Sequence, residues 1–160
     1  FYAKHTFEVD FISEGNAWEV ERIIKKVYID PATRTQAKTD IESADVAIYG
    51  KRVLTMAKQE GKGWFAIMLG KHISYKTEIP AYILDAILFA KETYSSNIVA
   101  DIIQYRMNKH FEADNALDFT SCKAELLKYR NGTNKLEDLA FDFDLVLPDD
   151  QILILRDKLK

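Results

Sequence analysis

Apolar residues recur three and four positions apart through most of this chain, and that spacing makes its fold mostly helical. Val20, Ile23, Ile24, Val27 and Tyr28 form the clearest stripe, the pattern of one buried helix face. Asn16 lies ahead of it, with Glu19 three positions later in capping-box spacing. Asp30-Pro31 ends that helix, because the residue before a proline is pushed out of the helical region. A second helical stretch, about 34–60, carries Ala37, Ile41, Ala44, Ile48, Leu54 and Ala57, with Gly50 as a candidate break. Gly61-Lys62-Gly63 forms a hinge, and Trp64, Phe65, Ile67, Met68 and Leu69 make a dense apolar helix after it. Pro80 stands where a helix begins, since its missing N–H is not needed there. Tyr82, Ile83, Ala86, Ile87 and Ala90 supply the stripe of that helix. Ser95 or Ser96 caps another, which holds Ile98, Ile102, Tyr105 and Met107, and 121–130 make a short further one. Trp64, Phe65, Met68, Ile83 and Ile87 are the expected core of two neighbouring stripes.

Two segments alternate instead. In 6–12, Phe7, Val9 and Phe11 fall on one side and Glu8 and Asp10 on the other, the period of a strand with one buried face. A short helix start is the competing reading. Residues 141–147 alternate as well. The expected fold is α+β and mostly helical. One or two strands join the edge of a sheet supplied elsewhere, with roughly five to seven helices around them.

The 160 residues suffice for one domain with a real core. A net charge of −3 excludes bulk positive charge as a route to nucleic acid, so any polyanion site must be a local patch. Residues 51–76 hold six Lys/Arg against one acidic residue, and 137–150 hold six Asp/Glu and no Lys or Arg. The basic stretch is either a solvated face or a phosphate contact; Lys51, Arg52 and Lys58 are its candidate DNA-binding residues. Cys122 is the sole cysteine, so no intrachain disulfide forms. That fits a reducing cytoplasm, and Cys122 itself reads as a small buried side chain. No apolar run approaches the ~18 residues that span a bilayer, and no signal peptide is visible. The chain opens on Phe1-Tyr2-Ala3 rather than methionine, which suggests a truncated or processed polypeptide.

His5, His72 and His110 lack zinc-site spacing. Arg106 and His110 are four apart and share a helix face, read as a surface pair. Walker A, GxGxxG and GxSxG patterns are absent from the sequence. Glu8 and Asp10 offer hard oxygen ligands suited to Mg²⁺; the plainer alternative is a sheet with one wet face. Lys62 lies between glycines that allow close backbone approach. It could offset charge on a phosphate in a transition state, or be an ordinary solvated lysine in a turn.

Thr6-Phe7-Glu8-Val9-Asp10-Phe11 is followed by Gly15-Asn16. Gly61-Lys62-Gly63-Trp64-Phe65-Ala66-Ile67-Met68-Leu69 comes later, and then the segment from Ile79-Pro80-Ala81-Tyr82 to Ala90. In this order and spacing they resemble the C-terminal portion of the Toprim region in OLD-family (overcoming lysogenization defect) ATP-dependent endonucleases. The resemblance covers roughly 1–107, a C-terminal part of the nuclease domain with a helical insertion; 108–160 read as a helical extension of the same domain.

The resemblance implies hydrolysis of phosphodiester bonds in DNA with Mg²⁺ or Mn²⁺, in a cytoplasmic phage-defence setting. Glu8 matches a metal-binding glutamate, with Asp10 as a further candidate ligand. Lys62 matches the lysine that stabilises the phosphate, so Glu8 and Lys62 are the candidate catalytic pair. ATP enters only through an N-terminal ATPase module. The implied partners are DNA, the remainder of the polypeptide and a second copy in a homodimer, with no membrane. The family's Glu-Gly-x-x-Glu-type segment and Asp-x-Asp pair do not precede the Thr-Phe-Glu segment here, so the chain alone is expected to be inactive. The alternative is a non-catalytic helical module that binds DNA or a protein partner through 51–76 or the Trp64/Phe65 helix.

Overall fold

The computed structural model describes residues 3–90, 94–139 and 150–151, and all regular structure among them is helical. The α+β expectation is overturned. Helix α1 occupies Phe7–Phe11 and passes through a π-helical turn, Ile12–Asn16, into α2, Ala17–Val27. The alternation in 6–12 pointed to a strand, but a lone strand leaves its backbone donors without a ladder. As a helix the segment satisfies its own: the N–H groups of Val9 and Asp10 both donate to the Thr6 carbonyl, at 3.0 Å each. Val9, Asp10 and Phe11 are buried in succession, and Phe7 is exposed, an order that a one-faced strand cannot produce. The alternating segment 141–147 and the closing apolar residues 152–155 lie outside the described residues.

The chain divides into two compact units, Phe1–Ala86 and Ile87–Lys160. The first holds α1, α2, α3 (Pro31–Ile41), α4 (Val46–Glu60), α5 (Lys62–Gly70) and the start of α6 (Ala81–Ala90). Its core gathers Val20 and Ile23 of α2, Val53 and Met56 of α4, and Phe65 of α5 around Val9 and Phe11. Asp30 caps α3 by accepting the Thr33 N–H at 2.7 Å, and Asp45 caps α4 by accepting the Ala47 N–H at 2.8 Å. The break in the 34–60 stretch therefore falls at 42–45, and α4 runs unbroken through Gly50. That glycine is where α1 packs closely: a Cβ on Gly50 would lie 3.5 and 3.6 Å from the Val9 methyls.

Phe65 and Met68 are core, as expected. Trp64, expected there too, is not: it is more than half exposed, at 54%, as is its neighbour Ile67 at 53%. Helix α5 is apolar on every face, so packing one face leaves another bare. Ile83 is half-buried and Ile87 exposed.

Asn16 and Glu19 do not form a capping box. The Asn16 side chain makes no cap hydrogen bond. Instead its amide donates to the carbonyls of Phe11 (2.9 Å) and Glu78 (2.7 Å) and accepts the Glu78 N–H at 2.8 Å. Glu19, fully buried, accepts the Thr77 hydroxyl at 2.8 Å. The two residues thus fasten the 71–80 connection to the start of α2.

In the second unit, α7 (Ser96–Ala113), α8 (Thr120–Arg130) and a 3₁₀ turn (Leu136–Leu139) enclose a separate core. Ser95 caps α7, accepting the Ile98 N–H at 3.4 Å. The buried stripe is Val99, Ile103 and Met107, joined by Phe119, Cys122 and Leu126. It lies one position away from Ile98 and Ile102. Arg106 and His110 do not form an open surface pair. Arg106 Nε donates to Asp150 Oδ1 at 2.5 Å, and His110 Nε2 lies 2.6 Å from Asp150 Oδ2. The Asp150 carboxylate is almost wholly buried between them.

Candidate functional site

Gly61 sets the geometry of the site. Its φ of 80°, in the region open mainly to glycine, lets the chain leave α4 and enter α5 at once. Lys62 is therefore the first residue of α5, and it faces back toward α1. Its ammonium lies 3.5 Å from Glu8 Oε1. The fold brings together the two residues singled out as a catalytic pair, with Glu8 largely enclosed (12% exposed) and Lys62 open to solvent. Gly63 is helical with open space beside it, so only one of the two flanking glycines is conformationally required.

Burial raises the Glu8 carboxyl, but its own backbone N–H, the Thr6 hydroxyl and the Lys62 ammonium outweigh that and hold it below the ordinary carboxylate range. Glu8 is thus a carboxylate at neutral pH, beside a cation that it only partly covers.

Asp10 has a different environment. Its Oδ1 meets His5 Nδ1 at 2.9 Å and the His5 N–H at 3.2 Å. Its Oδ2 accepts the Lys4 N–H at 3.1 Å. The backbone at 4–5 is thereby wrapped around a buried carboxylate, and both oxygens are engaged by N–H groups. Asp10 also lines a cleft of about 550 Å³ with His5, Ser13, Tyr49, Tyr82 and Asp85. Ser13 Oγ and Tyr49 Oη are 2.8 Å apart within it. Tyr82 ties the cleft to the ion pair: burial, then the charges of Asp10 and Glu8, push its phenol up and keep it a neutral O–H donor.

The proposed DNA contacts separate. Lys51 and Lys58 are exposed on α4, seven residues apart and so on one face. Arg52 is engaged: its Nε donates to Asp40 at 2.7 Å, and its guanidinium stacks 5.7 Å from the Tyr28 ring. It bridges α3 and α4.

A hard divalent ion finds one suitable ligand here, the Glu8 carboxylate. No group of three or more His, Cys, Asp or Glu side chains able to hold a metal gathers among the described residues. The donor set fits part of a metal site and needs carboxylates from elsewhere to complete it. Sequence reasoning missed His5, Ser13, Tyr49 and Tyr82 as neighbours of one cleft. In sequence Tyr82 reads only as part of an apolar stripe, and His5 only as a poor candidate for zinc.

No family model matches the chain, and no curated protein and no solved structure matches it. Among the described residues, no helix is long and apolar enough to cross a membrane.

Proposed function

We propose that this chain is the C-terminal, helical part of an OLD-family Toprim endonuclease and contributes Glu8 and Lys62 to phosphodiester hydrolysis in DNA. The observation that carries the reading is the 3.5 Å approach of Lys62 to Glu8. Motif order and spacing singled out this pair, and nothing but the tertiary fold brings it together.

Cleavage concentrates negative charge on the phosphate oxygens, and a fixed cation beside them is worth more in a partly enclosed site than in water. The Lys62 ammonium can turn from Glu8 to the phosphate while staying at the end of α5. Glu8 would hold Mg²⁺ or Mn²⁺, which supplies Lewis-acid stabilisation when bound. The remaining ligands, and the ATPase module through which ATP acts, belong to other parts of the polypeptide. The proposed setting is a cytoplasmic defence nuclease, with DNA, the rest of the chain and a second copy as partners. In the full-length polypeptide, Glu8→Gln and Lys62→Ala should each abolish metal-dependent cleavage of plasmid DNA while ATP hydrolysis persists. Cleavage at the parental rate by either variant would remove that residue from the site.

A second reading, a non-catalytic helical module, draws on the exposure of Trp64 and Ile67 on α5 and of Lys51 and Lys58 on α4. A reading frame that encodes a Walker A motif and an Asp-x-Asp pair upstream of Phe1 favours the nuclease over it.

A further inference from the structure

The cleft beside the ion pair has no part in the chemistry of Glu8 and Lys62. Its lining is mixed in a particular way. Asp10, Glu14 and Asp85 contribute carboxyl groups, while Tyr49, Tyr82 and His5 contribute ring systems. Three carboxyl groups against one lysine, Lys4, disfavour a phosphate there, whereas hydroxyl groups and aromatic rings suit the polar edge and the face of a planar ring. The volume of about 550 Å³ falls inside the range of small-molecule sites, roughly 300–1,000 Å³. A duplex cannot present a base to a concave cleft without unpairing it.

The cleft also adjoins the proposed point of cleavage. Glu8 and Asp10 both lie on the short helix α1, where residues two apart project from different sides, and the Tyr82 phenol of the cleft feels the charge of both. One belongs to the Lys62 pair and the other to the cleft.

We infer that this cleft receives one unpaired nucleobase of the DNA strand, with Tyr82 as its aromatic wall and the Ser13–Tyr49 hydroxyl pair and Asp85 as hydrogen-bonding groups. The site then acts on single-stranded or locally opened DNA. Recognition by stacking tolerates every base, because each has a π-face. The inference rests on the nuclease reading.

The test is a two-by-two binding cycle on the 160-residue chain, read by fluorescence anisotropy. The probes are a short single-stranded oligonucleotide and copies of it with one abasic site walked along the strand. At one position, loss of the base should weaken binding on the order of tenfold, the effect of one stacked base. Tyr82→Ala should weaken binding of the intact strand by a similar factor and be blind to that abasic site. Tyr82→Phe, which keeps the ring, should stay within about threefold of the parent. An abasic site harmless at every position would overturn the proposal, and so would penalties from Tyr82→Ala and the abasic site that multiply. If Tyr82→Ala does not fold, the abasic walk on the parent chain decides alone. Failure of the nuclease reading appears elsewhere, as cleavage by Glu8→Gln or Lys62→Ala, and leaves this cycle unmoved.

Discussion

The Lys62 ammonium stands 3.5 Å from Glu8 Oε1, although most of the first unit's chain separates the two residues in sequence. The contact has a measurable electrostatic consequence. The Glu8 carboxyl is held below its ordinary value partly by Lys62. A folded-state value below the unfolded one contributes stability that is fully present above the unfolded carboxyl pKa, about 4.3, and is lost as pH falls through the folded value. Lys62→Ala should therefore move the Glu8 titration upward and shrink the stability lost in that acid window. A carbon-detected NMR titration of the Glu8 carboxyl in both proteins reads this directly; identical curves would mean the pair does not form in solution.

Phe65 is 1% exposed and neighbours Trp64, which is more than half exposed. Phe65→Ala should cost about 3–5 kcal/mol, the range for emptying a buried aromatic site. Trp64→Ala should stay within about 1 kcal/mol. Denaturant melts of the two variants check the contrast, and equal losses would place Trp64 in the core.

The two glycines around Lys62 should respond in opposite directions. Gly61 has φ 80°, whereas Gly63 is helical, and a methyl group added to its Cα would meet nothing within 4 Å. Gly63→Ala should stabilise by about 0.4–1 kcal/mol, and Gly61→Ala should destabilise by more than that. Thermal melts of both proteins decide it. A neutral Gly61→Ala would show that the α4–α5 junction does not need a left-handed residue.

How far the sequence disclosed this structure differs by element. The stripe Val20–Ile23–Ile24–Val27 and the Ser95 cap are legible because each is local: a helix period and a short side-chain bond. The identity of α1 is not, because five residues of alternating pattern fit either period, and burial from neighbours settles which one forms. The Glu8–Lys62 pairing is legible only through resemblance, since no local rule links residues so far apart. His5 and Tyr82 stay hidden for the same reason, as their roles depend on Asp10 and on a cleft that only the tertiary fold creates. Asn16 and Glu19 match a local motif that the chain uses differently.

That different use is itself testable. Asn16 makes three hydrogen bonds, two of them to Glu78. Asn16→Ala should cost about 2–4 kcal/mol, at roughly 1 kcal/mol per bond. It should also speed hydrogen exchange at the Glu78 amide far more than at Val53 in the core. Unchanged exchange at Glu78 would mean that the 71–80 connection is held by other contacts.

The central claim is that Glu8 and Lys62 act as one unit on one phosphate. Groups that act as a unit show strongly non-additive losses when removed. The decisive measurement is a double-mutant cycle of metal-dependent DNA cleavage in the full-length polypeptide, comparing Glu8→Gln, Lys62→Ala and the combined variant. Each single change should reduce cleavage by at least about a hundredfold, the loss expected when one transition-state contact is removed, and the double variant should be little worse than either single one. Losses that multiply in the double variant, or a single variant that cleaves at the parental rate, would contradict the account.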